Sequence, residues 1–226
     1  MESNNEKPGN DAQREAHAHY AAAFIGGFLG LYPIVSAAHI FGSAQTANLI
    51  EIVVAAIAGD KRTVAMHVFG ASLYCLGILL ATLIPKRTRI PLKAAAMAVD
   101  SAAAVAMCAI PKGLNPAVYL YPTFLSLSFH WCAFKGGYGY TSSVIFSTNN
   151  MRMFVSSVAE ILINGDSSFV TKAKFFGATL LSFHTGIAFS YIAWKAIPGW
   201  SFLIALVPIS VCAFLSRPGH RSGTVG

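Results

Sequence analysis

Charge is scarce in this sequence. Asp, Glu, Lys and Arg make up 11% of its 226 residues, where a soluble domain carries about 25%. Too few are present to coat a water-facing surface, which excludes an ordinary soluble globular protein. Acids are the scarcer sign, nine against sixteen Lys and Arg, for a net charge of +7. That balance invites a nucleic-acid partner. The basic residues are scattered among loops, however, with no basic amphipathic face and no stacking platform, so no nucleic acid is expected. The four cysteines, Cys75, Cys108, Cys132 and Cys212, lie in apolar runs without a CxxC pair and read as small core-filling side chains. His39, His67, His130 and His184 lie in or near apolar segments, but no HExxH or close His/Cys set occurs, so no metal is expected. G-x-S-x-G, a phosphate loop and a dinucleotide fingerprint are all missing, and the plentiful Ser and His residues show no triad. The expectation is a protein that is not an enzyme and has no cofactor.

What the chain does have is long apolar sequence. Hydrophobic residues are 55% and the mean hydropathy is +0.57. The fold class this implies is an all-α, polytopic membrane protein whose first partner is the lipid bilayer. Residues 1–19 are polar and mixed in charge; they read as a disordered cytoplasmic tail, not a signal peptide. An apolar segment follows over Tyr20–Ala38, with Gly26-x-x-x-Gly30 as a surface for close helix approach and Pro33 as a kink. Beyond a first polar break, Phe41–Asn48, the apolar run to Ala58 is too short for a perpendicular span, which needs about 20 residues. Val64–Ile84 and Ala94–Ile110 are spans, the latter carrying Asp100. After the loop 111–117 come Val118–Phe134, a second break at Phe146–Arg152, a helix to Ile163, a span at Phe175–Ala193 and a last one at Phe202–Leu215.

The two halves match in order. Thr46-Ala47-Asn48 pairs with Thr148-Asn149-Asn150, Gly59-Asp60 with Gly165-Asp166, and Phe69-Gly70-Ala71 with Phe176-Gly177-Ala178. The division that follows is a first transmembrane repeat at 20–110, a linking loop at 111–117, a second repeat at 118–216 and a tail at 217–226. Transporters are often built from two such repeats, with discontinuous helices around a central site. Six to eight membrane segments fit. If the segment after each break does not cross, there are six crossings and the repeats are inverted. Twelve of the sixteen basic residues then face inward, against nine when all eight segments cross. The positive-inside rule favours six.

Candidate functional residues cluster at the breaks. Asn48 and Asn150 offer donors and acceptors without charge and are candidates for substrate binding. Thr46 and Thr148 either join them or cap exposed backbone N–H groups. Glu51, Asp100, Arg152 and Glu160 are charges within apolar segments, read either as coupling groups or as structural charges facing protein or water.

These motifs carry a resemblance. The chain resembles the YoaK-like family of bacterial inner-membrane proteins, whose function is unassigned. The family pattern is a glycine-rich first helix, Phe-x-x-x-Thr-Gly-Asn, a helix ending near Gly-Asp, and a related Thr-Gly-Asn or Thr-Gly-Thr in the second half before an arginine. Here Thr46, Asn48, Thr148, Asn150, Gly59-Asp60 and Arg152 match, with Ala47 and Asn149 where glycine is usual. Many members carry an acid near Leu31-Tyr32 and a Gln-Asn pair near His130-Trp131, which this chain lacks. The resemblance implies a fold and no substrate. Two functions stay open: a small-solute transporter or permease, and a non-transporting membrane scaffold or partner-binding subunit, the latter with homo-oligomers among its forms.

Overall fold

The computed structural model describes residues 9–31, 42–111 and 113–217. Pro33, His39 and Phe41 lie outside them. Eight α-helices are found among the described residues: α1 Asn10–Gly30, α2 Gln45–Ile57, α3 Lys61–Arg87, α4 Leu92–Ala109, α5 Pro116–Ala133, α6 Thr148–Asn164, α7 Val170–Ala196 and α8 Leu206–Leu215. Two two-residue strands, β1 Gly136–Gly137 and β2 Tyr140–Thr141, pair antiparallel between α5 and α6. Short 3-10 turns precede α7 (Ser167–Phe169) and α8 (Ser201–Ala205). Among the described residues three helical stretches are long and apolar enough to cross a membrane: Lys61–Arg87, Leu92–Ala109 and Ser167–Ala196.

The first helix begins at Asn10, so residues 10–19 are helix and not disordered tail. Alanine-rich sequence favours helix even where it is polar, and here packing adds to the preference. Ala16, Ala18 and His19 are buried, with Ala16 backing directly onto Gly137 of the hairpin. That hairpin lies between α5 and the second break. Tyr138 and Gly139 both take positive φ, 52° and 78°, as a tight two-residue connection requires.

Glycines set the helix pairing. A Cβ on Gly27 would overlap the Phe183 carbonyl, and one on Gly186 would overlap the Phe24 carbonyl, so α1 and α7 touch backbone to backbone. Gly26 likewise meets the Val144 carbonyl, while Gly30 has no close neighbour among the described residues; there the close approach uses Gly26 and Gly27, not the Gly26/Gly30 pair. On α3, Gly77 meets Ser128 and the Leu125 carbonyl, and Gly70 the Phe124 ring, both on α5. The order of contacts makes each pair parallel. Phe69 meets Tyr121 and Gly77 meets Ser128 along α3–α5, while Tyr20 meets Phe175 and Phe24 meets Phe189 along α1–α7. In addition α2 packs on α3, α6 on α7, α4 on α5, and α8 on α1 and α4. The main core lies among α1, α4, α5 and α8, with Ile25, Phe28, Leu29, Leu127 and Phe129 buried at its centre. Large apolar side chains also cover the outside, including Leu49, Ile50 and Ile57 on α2 and Leu162 and Ile163 on α6. Water would penalise such a surface, and hydrocarbon would not.

Candidate functional site

The polar groups within this apolar core converge on Asp100. Its α4 position faces α5, where Ser126 and His130 stand four residues apart on one helix face. All three side chains are fully buried. Ser126 Oγ donates to Asp100 Oδ1 at 2.5 Å. His130 Nδ1 meets Asp100 Oδ2 at 2.6 Å, and His130 Nε2 meets the Ala22 carbonyl of α1 at 3.0 Å. The network thus ties three helices together.

The bonding fixes the protons. A carbonyl only accepts, so Nε2 must carry hydrogen. A neutral imidazole with hydrogen on Nε2 has a lone pair at Nδ1, which would oppose an ionised carboxylate. One further proton therefore lies between Nδ1 and Oδ2. It belongs either to an imidazolium beside a carboxylate or to a carboxylic acid beside a neutral imidazole. The pair is neutral overall in both states, which lowers the large cost of burying charge. Serine is bonded to the acid and not to the imidazole, so the serine–histidine bond required for acyl transfer is missing.

Two further buried histidines accompany it. Neither ring nitrogen of His19, one turn before Ala22 on α1, has a hydrogen-bond partner among the described residues, and the ring lies 5.3 Å from that of Phe175. His67 on α3 is buried, with Nδ1 unpartnered among the described residues and the charge of Glu51 within electrostatic reach. His184 Nδ1 donates locally, to the Leu180 carbonyl at 2.8 Å. No group of three His, Cys, Asp or Glu side chains suited to a metal occurs among the described residues.

The residues singled out at the breaks fall into two sets. Asn48 and Asn150 are buried, each two residues after an exposed threonine, Thr46 and Thr148. Asn150 is occupied by its own loop. Its Oδ1 accepts from Ser142 Oγ at 2.9 Å and its Nδ2 donates to the Ser143 carbonyl at 2.7 Å and the Phe146 carbonyl at 3.2 Å. The N-cap positions are Ala44 and Ser147, and neither makes a side-chain cap bond. Of the charges, Arg152 is exposed and donates to Asn149 Oδ1 at 3.0 Å, while half-buried Glu160 accepts from Asn164 Nδ2 at 2.5 Å. Only Asp100 enters the core. Its partner His130 lies thirty residues away on another helix, and no local spacing could have announced the pair.

The breaks flank this network. A Cβ on Gly42, in the first break, would press on Thr123 and Leu127 of α5, and Val144, before the second, touches Gly26 of α1. Thr123 is two turns from His130 and Gly26 one turn from Ala22.

An all-α protein with membrane-length helices, an apolar exterior and a buried neutral acid–imidazole pair is the class so defined. The chain belongs to the family described as protein of unknown function (DUF1275), whose model matches residues 18–215. No curated protein and no solved structure matches it.

Proposed function

We propose that the chain is a small-solute transporter of the cytoplasmic membrane, of the YoaK-like kind, in which Asp100 and His130 carry the coupling proton. The observation that carries this reading is the fully buried Asp100–His130 pair, 2.6 Å apart and within about two helical turns of residues that touch both backbone breaks. Ionisable groups inside membrane proteins commonly mark proton relays or substrate paths. Discontinuous helices expose backbone groups that a solute can meet.

The architecture proposed with it has two inverted repeats, six crossings and two partial helices, α2 and α6. Its support is exchanged packing: the first helix of each half lies parallel to the third helix of the other, α1 with α7 and α5 with α3. Further support comes from one end of the molecule. Arg14 on α1 bonds the Arg217 carbonyl after α8, and Arg217 shares a cleft with Lys93 at the start of α4. Six crossings put these three residues on one side, whereas eight would separate Lys93 from the others.

The test is reconstitution into liposomes with a panel of amino acids, metabolites and ions, with and without a pH gradient. Gradient-dependent flux in the intact chain, lost in Asp100→Asn and retained in Lys61→Gln, is the expected result. Flux indifferent to both the gradient and Asp100→Asn would overturn the coupling role. A second reading, a scaffold or partner-binding subunit, including one that pairs with a second copy of itself, is favoured by Asn150, whose amide is spent on its own loop. Neither reading uses enzymatic chemistry or a cofactor.

A further inference from the structure

The end of the molecule where α1, α4 and α8 meet is strongly basic. A cleft of about 220 Å³ lies between the first turn of α4 and the end of α8, lined by Pro91, Lys93, Ala94, Ala213, Ser216 and Arg217. Lys93 and Arg217 both line it, and the Lys93 ammonium lies 5.6 Å from the centroid of the Phe134 ring. Arg14 is held beside them by its bond to the Arg217 carbonyl. Three cations gathered this way repel one another unless an anion joins them. Among the described residues no carboxylate pairs with them: the one ion pair is Asp100–His130, deep in the core, and the acids next to Arg14 on α1, Asp11 and Glu15, are exposed.

Donors without a strong partner line the same space. Pro91 is the N-cap of α4 and makes no side-chain cap bond, so the first-turn N–H groups are open at that end. Among the described residues the Ser216 hydroxyl has one side-chain contact, 4.0 Å from the Cys212 thiol. Apolar residues border the charged patch: Ile90 is 53% exposed and Phe214 is 66% exposed, and the Arg217 guanidinium lies over the Phe214 ring. A ligand matching both parts carries a phosphate next to hydrocarbon.

We propose that this cleft holds the phosphate of an anionic phospholipid headgroup, between Lys93 and Arg217 and bonded by the Ser216 hydroxyl, its acyl chains lying along the exposed apolar side chains. Arg14 adds charge at the rim. Basic pockets between membrane helices are suited to such headgroups, and the combination of fork-shaped and point cations suits a phosphate. The proposal does not depend on transport.

The test uses the full chain in mild detergent, with native mass spectrometry reading bound lipid. The probes are dioleoyl phosphatidylglycerol, dioleoyl phosphatidylcholine and inorganic phosphate. The glycerol lipid should be retained over the choline lipid. The double variant Lys93→Gln/Arg217→Gln should weaken its binding by about tenfold or more. The control Lys61→Gln/Arg62→Gln, two cations fewer at the opposite end, should bind as the parent does. Lys93→Arg/Arg217→Lys keeps both charges and should keep binding, which separates lost charge from lost fold. Equal binding by the parent and the Gln double variant overturns the site, as does loss in the charge-conserving variant. Inorganic phosphate that binds, or displaces the lipid, in the parent alone overturns the lipid source.

Discussion

Asp100 and His130 hold one proton between them, and each residue is tolerable in the core only because of the other. Removing one partner of a buried pair costs about 3–5 kcal/mol, because the remaining group is left uncompensated. Asp100→Ala should therefore lower unfolding stability by roughly that amount, and Asp100→Asn by less, since an amide can still accept from Ser126 and meet His130. Equilibrium unfolding in mixed micelles, followed by circular dichroism, measures both. Equal losses in the two variants would show that bonding at this position does not matter. Asn150 is the contrasting case. Its amide is legible in the sequence as a polar group in an apolar setting, but its four-atom neighbourhood of Ser142, Ser143 and Phe146 is not, because a loop's path is set by what it packs against. Asn150→Leu should leave the Ser143 and Phe146 carbonyls unmet and cost about 1–3 kcal/mol, read by the same unfolding measurement. Full stability with loss of solute flux would instead return Asn150 to the substrate.

At the scale of elements, the two Gly-Asp pairs were readable as helix ends, though not their capping bonds. Gly59 and Gly165 take φ of 76° and 67°, a region that glycine enters without strain, and the aspartate after each caps the next helix. Asp60 accepts from Arg62 N, Thr63 N and Thr63 Oγ1, and Asp166 from Ser168 N. The Thr63 hydroxyl above all holds the Asp60 carboxyl below its usual range, and Ser168 does the same for Asp166. A carboxylate so depressed contributes stability above its unfolded pKa, about 3.9, and loses that contribution as pH falls through the folded value. Thermal stability measured down the acid range should fall less steeply in Asp60→Asn than in the parent; identical slopes would remove the cap from the account. The glycine contacts were readable only in part. Gly26-x-x-x-Gly30 names a helix face, but among the described residues Gly30 meets nothing while Gly27 abuts the Phe183 carbonyl. Which helix comes to which face is a tertiary fact with no local signal. Gly27→Val should destabilise the α1–α7 contact by about 1–3 kcal/mol or more through overpacking, and Gly30→Val much less. Monodisperse yield after solubilisation orders the pair, and equal yields would refute the backbone contact.

For the whole molecule the open variable is how α2 and α6 lie. At about 1.5 Å per residue, the 27 residues of α3 reach about 40 Å, beyond a hydrocarbon core of about 30 Å. The 13 residues of α2 reach only about 20 Å and the 17 of α6 about 25 Å. Leu49 and Ile52 of α2 share a groove with Val68 to Leu79 of α3, so α2 runs beside the first two thirds of α3, ending at the Gly59-Asp60 turn. That is the course of a half-length helix. The lengths were legible in the sequence; the depth at which each break sits was not, because it depends on the partner helix. Single cysteines at Lys61, Ile90, Leu114, Ser167 and Ala196 test it, placed in a chain whose four free cysteines are first replaced by alanine. These positions leave the Asp60 and Asp166 caps intact. Six crossings predict that Lys61, Leu114 and Ala196 label together from outside with a membrane-impermeant maleimide, and that Ile90 and Ser167 label only after permeabilisation. With eight crossings Ser167 would join Lys61 and Leu114, and Ala196 would join Ile90. Ala196 therefore decides: labelling on the side of Lys61 supports inverted repeats with two half-length helices, and labelling on the side of Ile90 replaces them with parallel repeats in which α2 and α6 cross.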